Sequence, residues 1–246
     1  MKLSILGVAG AAALALAVGA CNKSGADANA QVSNAPLKQL PAPQGDWTQV
    51  VSETPEGGFR MGNPDAPVKL VEYASLTCPF CAKFDAEGVP TLRDKYVKSG
   101  QVSWEYRTYM NHVTDPGVTV LVHCLGAGPF FGIADQIYAT QEAWYGKVEA
   151  AQAQVAQLQN LPAPQRNAAL MKIAGLDEFF RQRGMPQSKI DACLADQHNL
   201  DKALAITERG NKDAINGTPN FLINGKWVAD TSDWKTLEPT LRRAVG

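Results

Sequence analysis

Residues 68–83, VKLVEYASLTCPFCAK, constrain this chain more than any other stretch: an apolar, β-branched run ends in Cys78-Pro79-Phe80-Cys81 and continues in a helix-compatible pattern. The run predicts a buried strand over 68–74 and, after it, a helix whose first turn carries two thiols. Residues three apart on a helix face one another within the Cα separation a disulfide tolerates, so Cys78 and Cys81 can bond or part without moving the backbone. Pro79 suits the first helical position, where its missing N–H has no helical partner, and this sets Cys78 at the exposed helix N-terminus. Unpaired N–H groups and the positive end of the helix dipole stabilise a thiolate there, which predicts a depressed pKa for Cys78. Cys81, one turn in, is expected to be the more buried, resolving thiol. A purely structural CPFC disulfide would close too short a loop to stabilise much, and half a zinc site would need a second close pair of cysteines, which the sequence lacks. The pair reads as a redox device.

The N-terminus points to the compartment in which that device works. Residues 1–20 read as a secretory signal: Lys2, then an apolar core of Leu, Val, Ala and Gly, then small residues before Cys21. The junction Val18-Gly19-Ala20-Cys21 resembles the bacterial lipoprotein box, in which the cysteine is lipidated and becomes the mature N-terminus; ordinary cleavage after Ala20 is the alternative. Residues 22–46 are rich in Ala, Asn, Gln, Pro and Ser, so they are expected not to fold and to tether the domain up to about 80 Å from an anchored Cys21. Setting Cys21 aside leaves Cys78, Cys81, Cys124 and Cys193. An even number in an exported protein favours two disulfides, with the CPFC pair kept oxidised. The formal net charge of −1 argues against a nucleic-acid surface, and no GxxxxGK[ST] phosphate cradle occurs.

Along the chain, 47–68 reads as a β-hairpin turning at Pro55-Glu56-Gly57-Gly58. A helix is expected from Pro79 to about residue 98, kinked at Pro90, and 102–109 alternates as a strand. This β-α-β order implies a right-handed crossover and parallel pairing. From Asp115-Pro116 to about residue 220 the pattern is helical, with breaks at 126–132 and at Pro162 and Pro164. The last insertion helices centre on 170–173, 177–181 and 188–195. A helix over 200–216 with Gly217 as its left-handed cap follows, then a hairpin turning at Asn224-Gly225 and a closing helix over 231–244. The segments are therefore a signal (1–20), a lipidated tether (21–46), a first α/β half (47–115), a helical insertion (116–199) and a second half (200–246).

That layout is a thioredoxin-like fold interrupted by an all-helical insertion. EYASLTCPFC, the insertion and GTPNFLINGK, in this order and spacing, resemble the DsbA family of exported thiol–disulfide oxidoreductases over about residues 47–246. The resemblance implies a cis proline at Thr218-Pro219 opposite the cysteines, presenting the Thr218 backbone to an extended substrate peptide and withholding a ligand from metals; an ordinary trans turn is the alternative. It places a buried acid at Glu72, whose pKa burial would raise so that it can exchange a proton with Cys81. A solvent-facing Glu at the strand end is the alternative there. It implies a second, non-catalytic disulfide between Cys124 and Cys193, closing a loop worth on the order of 4 kcal/mol. Phe80 departs from the His of the strongly oxidising members and offers a substrate contact rather than electrostatic help to the thiolate.

The expected function is a membrane-tethered periplasmic oxidase. It acts on reduced or unfolded exported polypeptides, is reoxidised by a quinone-linked membrane protein, works as a monomer and needs no organic cofactor or metal. An isomerase or reductase of the same fold is the first rival. A tethered copper-binding assembly module is the second, disfavoured by CxxC in place of CxxxC and by Pro219. His123 beside Cys124 supplies only half of a tetrahedral metal site, and Phe130, Phe131, Trp144 and Tyr145 read as core of the helical insertion, with the lining of a peptide groove beside the cysteines as the alternative for some of them.

Overall fold

A computed structural model of the chain describes residues 35–43 and 45–246. The expected signal and Cys21 lie outside the described residues. The frame is a six-stranded sheet of β1 (Val51–Glu53), β2 (Phe59–Met61), β3 (Val68–Ala74), β4 (Val102–Thr108), β5 (Asn220–Ile223) and β6 (Lys226–Trp227), in spatial order β1-β2-β4-β3-β5-β6. β3 and β4 pair in parallel from Val68 opposite Val102 to Ala74 opposite Thr108, and every other pair is antiparallel. β3 lies between β4 and β5 and exposes only Lys69, which is why its sequence is a near-continuous apolar run. Between β5 and β6, Asn224 and Gly225 take φ of 51° and 75°, the left-handed pair a two-residue hairpin requires.

The crossover from β3 to β4 is not one kinked helix. It runs as α1 (Pro79–Glu87), α2 (Val89–Thr91) and a π-helical turn over Leu92–Val97. The break falls at Gly88, where a Cβ would come within 2.9 Å of the Trp234 Cβ and 3.1 Å of the Phe84 carbonyl. Pro90, without a donor, completes the interruption.

The insertion comprises α3 (Asp115–Leu125), α4 (Phe130–Ala139), α5 (Gln141–Ala150), α6 (Gln152–Gln157), α7 (Ala163–Ala174), α8 (Leu176–Gln182) and α9 (Gln187–Ala195). α10 (Gln197–Lys212) returns the chain to β5, and α11 (Trp234–Val245) closes it, capped by Asp233. α3 is buried along Gly117–Val122 and packs on α4, α7, α9 and α10. Its last turn is joined to α9 by the Cys124–Cys193 disulfide, with Cα atoms 6.3 Å apart. Phe130, Phe131 and Trp144 are core residues, in one apolar cluster with Phe59, Leu70, Cys81 and Phe84, so sheet and insertion share a single interior.

Two expectations are corrected. The helix of the second half begins at Gln197 and ends at Lys212, and the left-handed residue after it is Ala214 rather than Gly217. Tyr73 donates to Asp213 Oδ2 at 2.8 Å, while Tyr109 donates to Asn211 Oδ1 at 2.8 Å and to the Ile215 carbonyl at 3.1 Å. The first two hold side chains at the helix end, and the third engages the backbone just beyond it. The segment before Trp47 is also not wholly a free tether: residues 35–43 lie along the domain. Leu37 is buried, Leu40 N–H donates to the Ser99 carbonyl, and Gln101 and Trp47 donate to the Lys38 and Leu40 carbonyls. Arg242 reaches the Ala35 carbonyl.

Candidate active site

The loop between β3 and α1 is clamped before the cysteines begin. Asp115, fully buried at the start of α3, accepts from Ser75 Oγ (2.8 Å), Thr77 Oγ1 (2.9 Å) and the backbone N–H groups of Asn111 (2.9 Å) and His112 (2.8 Å). Burial pushes its carboxyl pKa up, and these four donors partly oppose that. Gln141 Nε2 donates to the carbonyls of Leu76 and Cys78 at 2.8 and 3.1 Å, and Tyr138, bonded to Tyr106, donates to the Ser75 carbonyl. A loop with so many fixed points presents Cys78 in one orientation.

Cys78 is the N-cap of α1 and Pro79 its first residue, as the motif predicts. Both cysteines are free thiols in the structure. Cys78 is less open than an exposed helix terminus would make it, at 9% exposure against 1% for Cys81. The Cys78 thiol donates to the Thr218 carbonyl at 3.2 Å. A hydrogen bond from the Cys81 thiol lowers the Cys78 pKa to about 6 against the opposing effect of burial, aided by the Thr218 side chain, not its carbonyl, and by the N–H groups of Cys81 and Phe80. Burial, with the Cys78 charge beside it, pushes the Cys81 thiol well up. One sulfur is thus poised to ionise and the other to hold its proton.

Thr218-Pro219 is a cis peptide and brings residue 218 against a cysteine 140 positions earlier. Asn111 Nδ2 donates to Thr218 Oγ1 at 3.3 Å. Phe80 is 65% exposed beside the pair.

Glu72 is buried, at 2% exposure, with Oε2 accepting from Trp104 Nε1 at 3.0 Å. Burial, then the charge of Asp85, raise its pKa to about 8 against the Trp104 hydrogen bond. Glu72, Asp85, Trp104, Tyr106, Asp135 and Tyr138 line one small internal cavity. Asp85 is itself pushed to about 7 by burial and by Asp135, which Arg93 holds through two bonds of 2.6 and 2.8 Å.

The fold therefore gathers Cys78, Cys81, Thr218 and Pro219 into one place, with Glu72 behind them. Cys124 stands at the other end of α3 from Asp115, roughly 14 Å along the helix axis. His123 is half-buried, edge-on against Phe59, its pKa lowered to about 4 by desolvation and by Lys202, and no cluster of metal-ligating residues occurs among the described residues. Sequence reasoning missed Asp115, Gln141, the Tyr106–Tyr138 pair and the Asp85–Asp135–Arg93 group. The Asp-Pro opening of α3 was the only local signal for any of them.

A family model described as thioredoxin matches residues 54–243. The chain belongs to this thioredoxin family. Within it, the helical insertion between the two halves gives the DsbA-like form of the fold. This thioredoxin-family chain is similar to the crystal structure of a protein-disulfide isomerase from Novosphingobium aromaticivorans, with 29% identity and a TM-score of 0.73 over 76% of this chain and 96% of that one. The crystal structure of alpha-DsbA1 from Wolbachia pipientis shares the fold at 20% identity, with a TM-score of 0.60 over 79% and 94%. A Rickettsia bellii protein described as a protein-disulfide oxidoreductase is 24% identical over 179 residues, 72% of this chain and 61% of that protein. A Bacillus cereus protein described as disulfide bond formation protein D is 23% identical over 176 residues, 67% and 69% respectively. The chain thus spans less than two thirds of the Rickettsia relative it matches.

Proposed function

We propose that this chain is an exported thiol–disulfide oxidoreductase that introduces disulfides into reduced polypeptides through Cys78 and Cys81. The observation that carries the reading is the division of labour between the two sulfurs: Cys78 capping α1 against the Thr218 carbonyl with a pKa near 6, Cys81 buried with its pKa raised. A substrate thiolate attacks Cys78 Sγ of the oxidised pair. The Cys78–Cys81 bond breaks, Cys81 leaves as a thiolate and takes a proton, and Glu72, whose pKa of about 8 keeps it protonated at neutral pH, is the nearby acid. A second substrate thiolate attacks the substrate sulfur of the mixed disulfide and expels Cys78 as the stable thiolate. Two electrons pass from substrate to enzyme, and the substrate leaves with a disulfide.

Reoxidation falls to a quinone-linked membrane protein. Lipidation at Cys21 holds the domain at the membrane on the periplasmic side, where it acts as a monomer on unfolded exported chains. Thr218 and Pro219 edge the substrate groove with Phe80, and Cys124–Cys193 is structural.

A second reading, an isomerase, is favoured by the 29%-identical Novosphingobium structure and by Phe80, which gives the thiolate no cation. The reduction potential of the Cys78–Cys81 pair against glutathione separates the two. A value of about −120 to −160 mV is expected for the oxidase; one near −270 mV, thioredoxin's, overturns it in favour of a reductant or isomerase.

A further inference from the structure

A cavity of about 490 Å³ opens on the α5 side of the cysteine motif, with Thr77 and Pro79 on one wall and Glu142, Tyr145, Gly146 and Glu149 on the other. Three features of α5 build it. Gly146 sits inside the helix, where glycine is among the poorest choices, and a Cβ there would meet nothing within 4 Å. The space is open where a side chain would otherwise stand. Tyr145 is half-buried, and its hydroxyl shares a 2.8 Å hydrogen bond with His112 Nε2 that fixes the ring. Glu142 and Glu149, seven positions apart and so on one face, are both exposed, and the structure gives neither an ion pair among the described residues. The cation of α5, Lys147, is turned away: its Nζ lies 2.9 Å from where a Cβ on Gly175 would stand.

The cavity continues the ledge on which a substrate would lie. Asn111 bonds Thr218, its neighbour His112 bonds Tyr145, and Cys78 lies between Thr218 and the Pro79 wall. A peptide held by its cysteine at Cys78 therefore has a neighbouring side chain over this opening. We infer that the cavity takes a lysine or arginine side chain of the polypeptide substrate, its aliphatic stem along Tyr145 and Gly146 and its charged head between Glu142 and Glu149. An extended stem carrying a terminal cation matches an apolar floor with a negative rim, and the Tyr145 ring adds a cation–π face. The inference rests on the proposed disulfide exchange and adds to it a preference for basic residues beside the reacting cysteine.

The test mixes the oxidised protein with short peptides holding one cysteine and, at each flanking position in turn, lysine, glutamine or glutamate. Loss of the oxidised form is followed by acid quench at low ionic strength, with dithiothreitol as a thiol that carries no side chain into the cavity. At one flanking position or more, lysine is expected to react about 3- to 10-fold faster than glutamine, the range that a pair of exposed carboxylates gives, with glutamate slowest and the preference shrinking as salt is added. The lysine-to-glutamine ratio is expected to fall to near one in E142Q/E149Q and also in G146L, which fills the cavity and leaves the charges. Taking the ratio within each protein cancels any general change in reactivity. A wild-type ratio near one at every position, with dithiothreitol reacting normally, overturns the inference while sparing disulfide exchange. A preference kept in G146L and lost only in E142Q/E149Q also overturns it, as long-range steering without an occupied cavity. Failure of dithiothreitol to reduce the pair removes the exchange reading and this inference together.

Discussion

At the scale of single residues the site is a matter of where protons rest. In the reduced protein, thiolate ultraviolet absorbance should titrate with a midpoint near pH 6 and vanish in Cys78→Ser, while Cys81 contributes nothing in that range. Stability moves with the same protons. A thiol lowered from 9.0 to about 6 stabilises the reduced fold fully above pH 9, and this stabilisation is lost as pH falls through 6. Glu72 acts oppositely: raised from 4.5 to about 8, it favours the fold fully below pH 4.5, and that contribution is lost as pH rises through 8. Glu72→Gln keeps an acceptor for Trp104 Nε1 and removes the ionisation. Urea unfolding at pH 4.5 and pH 8 should show the variant gaining roughly 2 kcal/mol or more over wild type at the higher pH, since every tenfold change in proton affinity between the folded and unfolded chain is worth about 1.4 kcal/mol. An equal pH dependence in the two proteins would mean that Glu72 ionises freely in the fold.

At the scale of elements, the loop before Cys78 depends on Asp115, which ties β3 to the start of α3. Asp115→Ala removes the acceptor shared by two buried hydroxyls and two loop N–H groups. The expected loss is about 2–4 kcal/mol by chemical denaturation, together with a slower reaction at Cys78 as the loop loosens. The elements themselves were legible in the sequence wherever a local pattern carried them. β3 was a β-branched run, α1 was set by Pro79, and the β5–β6 hairpin was set by Asn224-Gly225. Asp115 was not legible, because an aspartate opening a helix looks like an ordinary first-turn acid until the fold brings Ser75 and Thr77 to it. The end of α10 was misplaced for the same reason: the hydroxyls of Tyr73 and Tyr109 that hold the chain there come from β3 and from just beyond β4.

At the scale of the whole molecule, one apolar interior runs from the sheet into the insertion, so the two thioredoxin-like halves and the inserted helices stabilise one another. Residues 35–43 belong to that body although their composition reads as linker. Only Leu37 and Leu40 hinted at it, and two isolated leucines set no periodicity. A chain beginning at Trp47 should be less stable than the 246-residue chain by about 1–3 kcal/mol in urea unfolding, from the lost burial of Leu37 and the orphaned partners Trp47 Nε1 and Gln101 Nε2. Identical midpoints would show that this strap adds no stability.

The facing of Cys78 by Thr218 also has a time axis. The two are separated by 140 residues, and β5, which pairs with β3, follows Thr218 directly. A ribosome adding about 5–20 residues each second needs roughly 7–28 s to cover that interval. Throughout it a nascent chain carries both reactive sulfurs without the strand and carbonyl that will govern what meets them.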